Sequence, residues 1–227
     1  MKKLLNVILV VCTLGLAYAC YKSIHSDIAF DEIKQERELL VRARLWEIRS
    51  AEEQFKMVYG RYCGTIDSLI DFVKNERAVD RVIKEGELSD DQLEAGMTEA
   101  QAIRQGIIKR DTVWVSAAEK LGISNADSLK YVPVGREDAV IQLRRKDAFN
   151  LKSNEWENLV EFRACLDDYM YGVDDKRVKN LKAELKKLHK NKADLFEDNV
   201  DDEDGEWYGL RIGDLQDPNN KMAGNWE

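Results

Sequence analysis

The hydrophobic positions change their spacing along the chain, and each change predicts an element. From Leu4 to Tyr21 they form a nearly continuous apolar run, interrupted by Asn6, Thr13 and Gly15. At about 1.5 Å rise per residue such a helix reaches about 27 Å, the thickness of a bilayer core, so residues 1–21 predict a transmembrane segment. From Ile33 the apolar residues thin to a three-and-four spacing: Leu40 or Val41, Leu45, Ile48, Ala51 or Glu52, Phe55 and Tyr59. Arg42, Arg44, Glu47, Arg49, Glu53 and Lys56 fill the opposite face. That is a helix buried on one side and solvated on the other. Neither glycine nor proline occurs between Gly15 and Gly60, so no local signal separates the two stretches. The expectation is one rod that leaves the lipid and continues as an amphipathic stalk.

Gly60 ends this helix, and Thr65 is placed to cap a second one, Ile66 to Lys74, with Ile66, Leu69, Ile70 and Val73 inward. Residues 22–75 are thus read as stalk plus short helix, and residues 76–227 as the remaining α+β region. Residues 75–110 are charged and uneven and predict short helices or an elaborated loop, with Thr98 as a cap. Strand patterns follow at Thr112–Ser116, Lys130–Val134, Ala139–Leu143 and Leu159–Ala164. Gly135-Arg136-Glu137-Asp138 between the second and third predicts a hairpin, with Pro133 at an edge or strand end. A small antiparallel sheet packed on the stalk completes an α+β fold. Asp174 to Lys192 predicts a further amphipathic helix, its Val178, Leu181, Leu185 and Leu188 stripe surrounded by lysines. Such a basic helix lies on anionic lipid, binds an acidic partner, or packs by its leucines; the last is the simplest, because Glu197–Glu206 is acidic enough to neutralise it.

The chain has 227 residues and a net charge of -8, which argues against a nucleic-acid partner, since phosphate binding needs a concentrated positive field. Lys2 and Lys3 before the apolar run place the N-terminus in the cytoplasm and the bulk of the chain outside, with Lys22 weakening the asymmetry. Two other readings of this segment stand beside an uncleaved anchor. Ala17-Tyr18-Ala19 has the form of a signal-peptidase site, and Leu16–Cys20 that of a loose lipoprotein box, with Cys20 as an acylated anchor of a ligand-binding module. Helix formers after Cys20, where a lipoprotein carries a flexible tether, favour the uncleaved anchor. Of the four cysteines, Cys63 and Cys165 alone lie well clear of the apolar run. Outside the cytoplasm they could join as a disulfide; otherwise they are small buried side chains.

Candidate chemistry is sparse. Asp201, Asp202 and Asp204 within the acidic run are the metal candidates, because calcium prefers several carboxylate oxygens on a bendable loop; Asp214 and Asp217 form a second set. The run departs from an EF-hand, whose sixth-position glycine at Gly205 would place Val200 first and Arg211 twelfth. A solvated acidic loop is the competing account. His25-Ser26-Asp27 holds the residue types of a nucleophilic relay, but neighbours on a helix point about 100° apart and cannot form one. Trp114, Trp156, Trp207 and Trp226 read first as core or interface residues and second as a sugar-stacking platform. No catalytic residue is expected.

The lysine-initiated apolar start, the unbroken helix and the run Ile48–Tyr62, with Tyr59-Gly60-Arg61-Tyr62 before Ile66-Asp67-Ser68-Leu69, resemble the N-terminal region of type IV pilins and type II secretion pseudopilins over about residues 1–75. The sequence as a whole, with its endings Gly209–Gly213 and Ala223–Glu227, also resembles uncharacterised membrane-anchored proteins of Bacteroides-type bacteria. The pilin resemblance implies a single-pass inner-membrane protein with a periplasmic C-terminal region. It also implies a non-enzymatic role as subunit or accessory of a surface or secretion assembly, with partners or self-association through the N-terminal helix. It implies calcium in a C-terminal loop for some members. This chain departs from the pilin pattern in lacking the glycine leader site and the early glutamate, with Asn6 the strongly polar residue near its start.

Overall fold

The computed structural model describes residues 2–94, 96–193, 207–215, 217–219 and 222–226; the side chains of residues 2–5, 7, 8, 23, 91, 93 and 188–193 also lie outside the description. Helix α1 runs without a break from Lys2 to Tyr59. It stops at Gly60, whose φ of +73° a side chain would resist and whose N–H still reaches Lys56 O at 2.8 Å. Helix α2 (Ile66–Asn75) opens where Thr65 accepts the Ser68 N–H, and it buries Ile66, Leu69, Ile70, Phe72 and Val73. Strand β1 (Arg77–Glu85), the short helices α3 (Asp90–Glu94) and α4 (Glu99–Arg104), and strand β2 (Lys109–Ser116) follow. Then come helix α5 (Ala117–Leu121), a 3-10 turn (Ala126–Lys130), strands β3 (Gln142–Asn150) and β4 (Glu155–Cys165), helices α6 (Leu166–Tyr169) and α7 (Asp175–Ala193), and strand β5 (Gly209–Ile212).

Contacts divide the chain into two compact units. One comprises Met1–Ala43, Val132–Ala139 and Ala164–Leu210; the other comprises Arg44–Tyr131, Val140–Arg163 and Arg211–Glu227.

In the first unit, Arg37 of α1 donates to the carbonyls of Tyr169 and Tyr171, both at 2.8 Å, fastening the end of α6 to the rod. Tyr169 is buried, and burial raises its phenol far above the ordinary range. The turn at Gly135 lies against α6 so closely that a Cβ there would sit 2.0 Å from Asp168 O, at a φ of +95°. Arg136 completes the contact, its guanidinium 2.8 Å from the Asp168 carboxylate. Helix α7 is tied to α1 by Arg177, which donates to Ser26 Oγ at 2.7 Å and pairs with Asp27.

The second unit holds two antiparallel sheets where a single one was expected: a ribbon β1–β2 and a three-stranded sheet in the order β3–β4–β5. The stalk face of this unit is buried as the spacing requires, through Leu45, Ile48 and Ala51; in the first unit's part of α1, Val41 is buried as well. Val41 rather than Leu40 takes the first inward position, Leu40 being exposed. Strand β4 is the middle of its sheet and carries the longest buried stretch, Leu159 to Ala164. Its Glu161 is 2% exposed and pairs on one side with Arg144 of β3 at 2.8 Å and on the other with Arg211 of β5 at 3.3 Å. This ladder of charge holds three strands in register at a place where an unpaired acid would be costly.

Several expectations need correction. The 75–110 stretch contains strand β1, not only helices and loop; its alternation is broken by a bulge between Val79 and Arg81. Lys130–Val134 and Ala139–Leu143 do not form a full hairpin: Tyr131 and Val140 make one bridge, and Val132 N–H reaches Ala139 O at 3.0 Å. The true hairpin is β3–β4, paired from Gln142 with Arg163 to Asn150 with Glu155. Thr98 caps α4 as expected, in a reciprocal capping box with Gln101. Among the described residues no helix is long and apolar enough to cross a membrane. The run expected to span opens with residues 4, 5, 7 and 8, whose side chains lie outside the description.

Candidate functional site

The second unit contains a cleft of about 490 Å³. One wall is the end of α1 and the turn after it, with Glu53, Lys56, Gly60 and Tyr62; strand β4 from Glu155 to Val160 makes another. The segment after β5, including Asp214, Asp217 and Met222, closes it. That segment can approach because Gly213 lies over β4: a Cβ at this residue would fall 2.1 Å from Val160 O, with φ at +83°.

The turn at residues 60–65 is held by three side chains from different elements. Asn158 of β4 accepts the Tyr62 N–H at 2.8 Å, Arg145 of β3 donates to Tyr62 O at 3.2 Å, and Glu52 of α1 accepts the Cys63 N–H at 2.8 Å. Glu52 is fully buried, and its other oxygen, Oε1, has no hydrogen-bond partner among the described residues. Burial pushes its carboxyl up to about 8, against the opposing pull of the Cys63 N–H and the Arg145 charge. At neutral pH it is therefore a carboxylic acid. Lys56 Nζ sits over the Tyr62 ring at 4.2 Å, so this aromatic face is already taken. Trp156, by contrast, is 74% exposed; its ring meets that of Phe149 at 5.6 Å and an interplanar angle of 68°.

Asp214 and Asp217, the second metal set expected from sequence, both line this cleft, but each is engaged within the chain. Asp214 pairs with Arg211 at 3.1 Å, and Asp217 accepts the Asn219 N–H at 2.9 Å. Among the described residues no three His, Cys, Asp or Glu side chains form a metal-holding group. Asp201, Asp202 and Asp204 lie outside the described residues. All four cysteines are free: Cys12 and Cys20 are exposed on α1, Cys63 is buried in the turn beside Glu52, and Cys165 is half-buried at the start of α6. Cys63 and Cys165 are thus separate thiols in the structure, not the disulfide that is one of the two readings of this pair. Burial raises both thiols above the ordinary range, so neither is primed as a nucleophile. Ser26 and Asp27 are occupied by Arg177, and His25 stacks on Tyr21 at 5.8 Å. Trp114, 45% exposed, and Trp156 are not core residues.

Glu52 and the cleft are the features that sequence reasoning missed. The spacing 41, 45, 48, 52, 55 did place Glu52 on the inward stripe, which was the available signal. Compared with known proteins, the chain matches no family model, no curated protein and no solved structure.

Proposed function

We propose that this is a non-enzymatic, single-pass envelope protein, anchored in the bacterial inner membrane by the start of α1 and serving as a subunit or accessory of a surface or secretion assembly. The observation that carries the reading is the contrast within one unbroken helix. Leu9, Val10, Val11, Leu14 and Leu16 are all more than half exposed, on every side of the helix, whereas Val41, Leu45 and Ile48 are fully buried. Apolar side chains without protein cover are suited to lipid tails or to neighbouring helices. Helix continuity through Cys20 supports an uncleaved anchor over a lipoprotein, because no flexible tether follows that cysteine.

Cross-linking in native membranes tests the assembly role: a repeating self-contact or a defined heteromer is expected, and a monomer without stable neighbours would overturn it. A second reading, a lipid-anchored or secreted ligand-binding module, is favoured by the cleft. Intact mass of the membrane-extracted protein separates the two. An unprocessed chain supports the first, and a chain beginning at acylated Cys20 supports the second.

A further inference from the structure

We propose that the cleft of the second unit binds a neutral saccharide, with Trp156 as its stacking platform. This inference rests on the cleft and holds whichever way the chain is anchored. Phe149 meets the Trp156 ring at a steep angle and so fixes its orientation, while most of the indole stays open to solvent. An exposed aromatic face lining a cleft of about 490 Å³ has the size and character of a small-ligand site. A pyranose ring offers an apolar C–H face to such an indole and a rim of hydroxyl donors to acceptors around it.

The same cleft supplies those acceptors as carboxylates, and their states decide among ligand classes. Glu53 pairs with Arg49, Asp214 pairs with Arg211, and Glu157 accepts from Asn150 and Ser153. Two of these charges, those of Glu53 and Asp214, are answered by a neighbouring guanidinium, which weakens the field that would capture a cation, while Glu157 is held by neutral donors. A carboxylate nevertheless has about four acceptor positions, so each can still receive a hydroxyl. Lys56 already covers the face of Tyr62, so of these two rings the indole is the one left open to a ligand. An anionic ligand would meet five carboxylates, those of Glu53, Glu155, Glu157, Asp214 and Asp217, against Lys56 alone among the lining residues, and is disfavoured.

The test uses the full-length chain in a detergent without sugar headgroups, to keep the cleft free of detergent sugar. Cellotetraose, chitotetraose, maltotetraose and xylotetraose, with agmatine as a cationic comparison, are followed by saturation-transfer NMR and by the indole N–H signal of Trp156. At least one saccharide is expected to bind and to shift that signal. Trp156→Ala should weaken binding at least about tenfold, while Trp114→Ala, an exposed indole outside the cleft, changes it less than about twofold and salt has little effect. Three results would overturn the proposal: agmatine binding that Glu155→Gln and salt abolish while no saccharide binds, no response to any probe, or a protein partner captured through Trp156 with no saccharide response. The melting temperature of Trp156→Ala, expected to match that of the parent, separates lost binding from lost folding.

Discussion

The two ends of α1 break the ordinary partition of side chains in opposite directions. Near the start, large apolar residues such as Leu14 and Leu16 stand bare; further on, an acid, Glu52, sits inside the core stripe. Both violate the rule for a helix in water, and the resolutions differ. On the reading proposed above the bare leucines are covered by lipid or by neighbouring helices, whereas the buried acid keeps its proton. One helix can therefore carry two kinds of exception, one answered outside the protein and one within it.

The contrast can be broken experimentally at either end. The largest effect is expected at Leu45, which is fully buried: Leu45→Ala should lower unfolding stability of the second unit by about 2–5 kcal/mol, read by denaturant titration. Leu14→Arg should leave that stability unchanged but oppose insertion by about 2.5–3.5 kcal/mol, seen as a shift from the membrane to the soluble fraction. An unchanged distribution would remove the anchor reading.

Glu52→Gln sharpens the other end. The Glu52 carboxyl is raised from 4.5 to about 8, so between those values the folded protein holds a proton that the unfolded chain has released. Stability is then greatest below the lower value, falls by about 1.4 kcal/mol per pH unit through the window, and levels off above it. The glutamine variant should lose this slope and gain about 3 kcal/mol at pH 7 relative to the parent, with no gain at pH 4. Parallel pH profiles of the two proteins would refute the protonated state. Thr65→Ala should cost about 1 kcal/mol through the lost α2 cap, measured by thermal unfolding.

Much of the helical framework was legible because periodicity and caps act locally. The α1 stripe, the Gly60 stop, the Thr65 and Thr98 caps and the extent of α7 each follow from a few neighbouring residues. The strands were read less well. Strand β1 alternates poorly because its bulge shifts the pattern halfway, and β3 continues through Arg144-Arg145-Lys146-Asp147, a charged stretch that resembles a loop until Glu161 is placed beside it. The cleft was not legible at all. Its walls come from the end of α1, from β4 and from the segment after β5, and no spacing rule joins residues so distant in sequence. Trp156 was visible as a residue type, but its exposure is set by the hairpin and by Phe149, not by its flanking sequence.

The ribbon β1–β2 has a consequence of its own. Each of its strands has a single strand partner among the described residues, so each has one edge outside the ladder, and on β1 the Asp80 carbonyl of that ribbon accepts from Lys120 at 3.0 Å. Such rims recruit foreign strands and start fibrous aggregation unless something discourages stacking. Here the bulge between Val79 and Arg81 bends one rim, Arg81 and Lys109 carry positive charge on the two strands, and Lys84 and Arg110 pair with Glu99 of α4 at 3.0 and 2.7 Å. Charges so placed are of the kind that discourage pairing with a foreign strand.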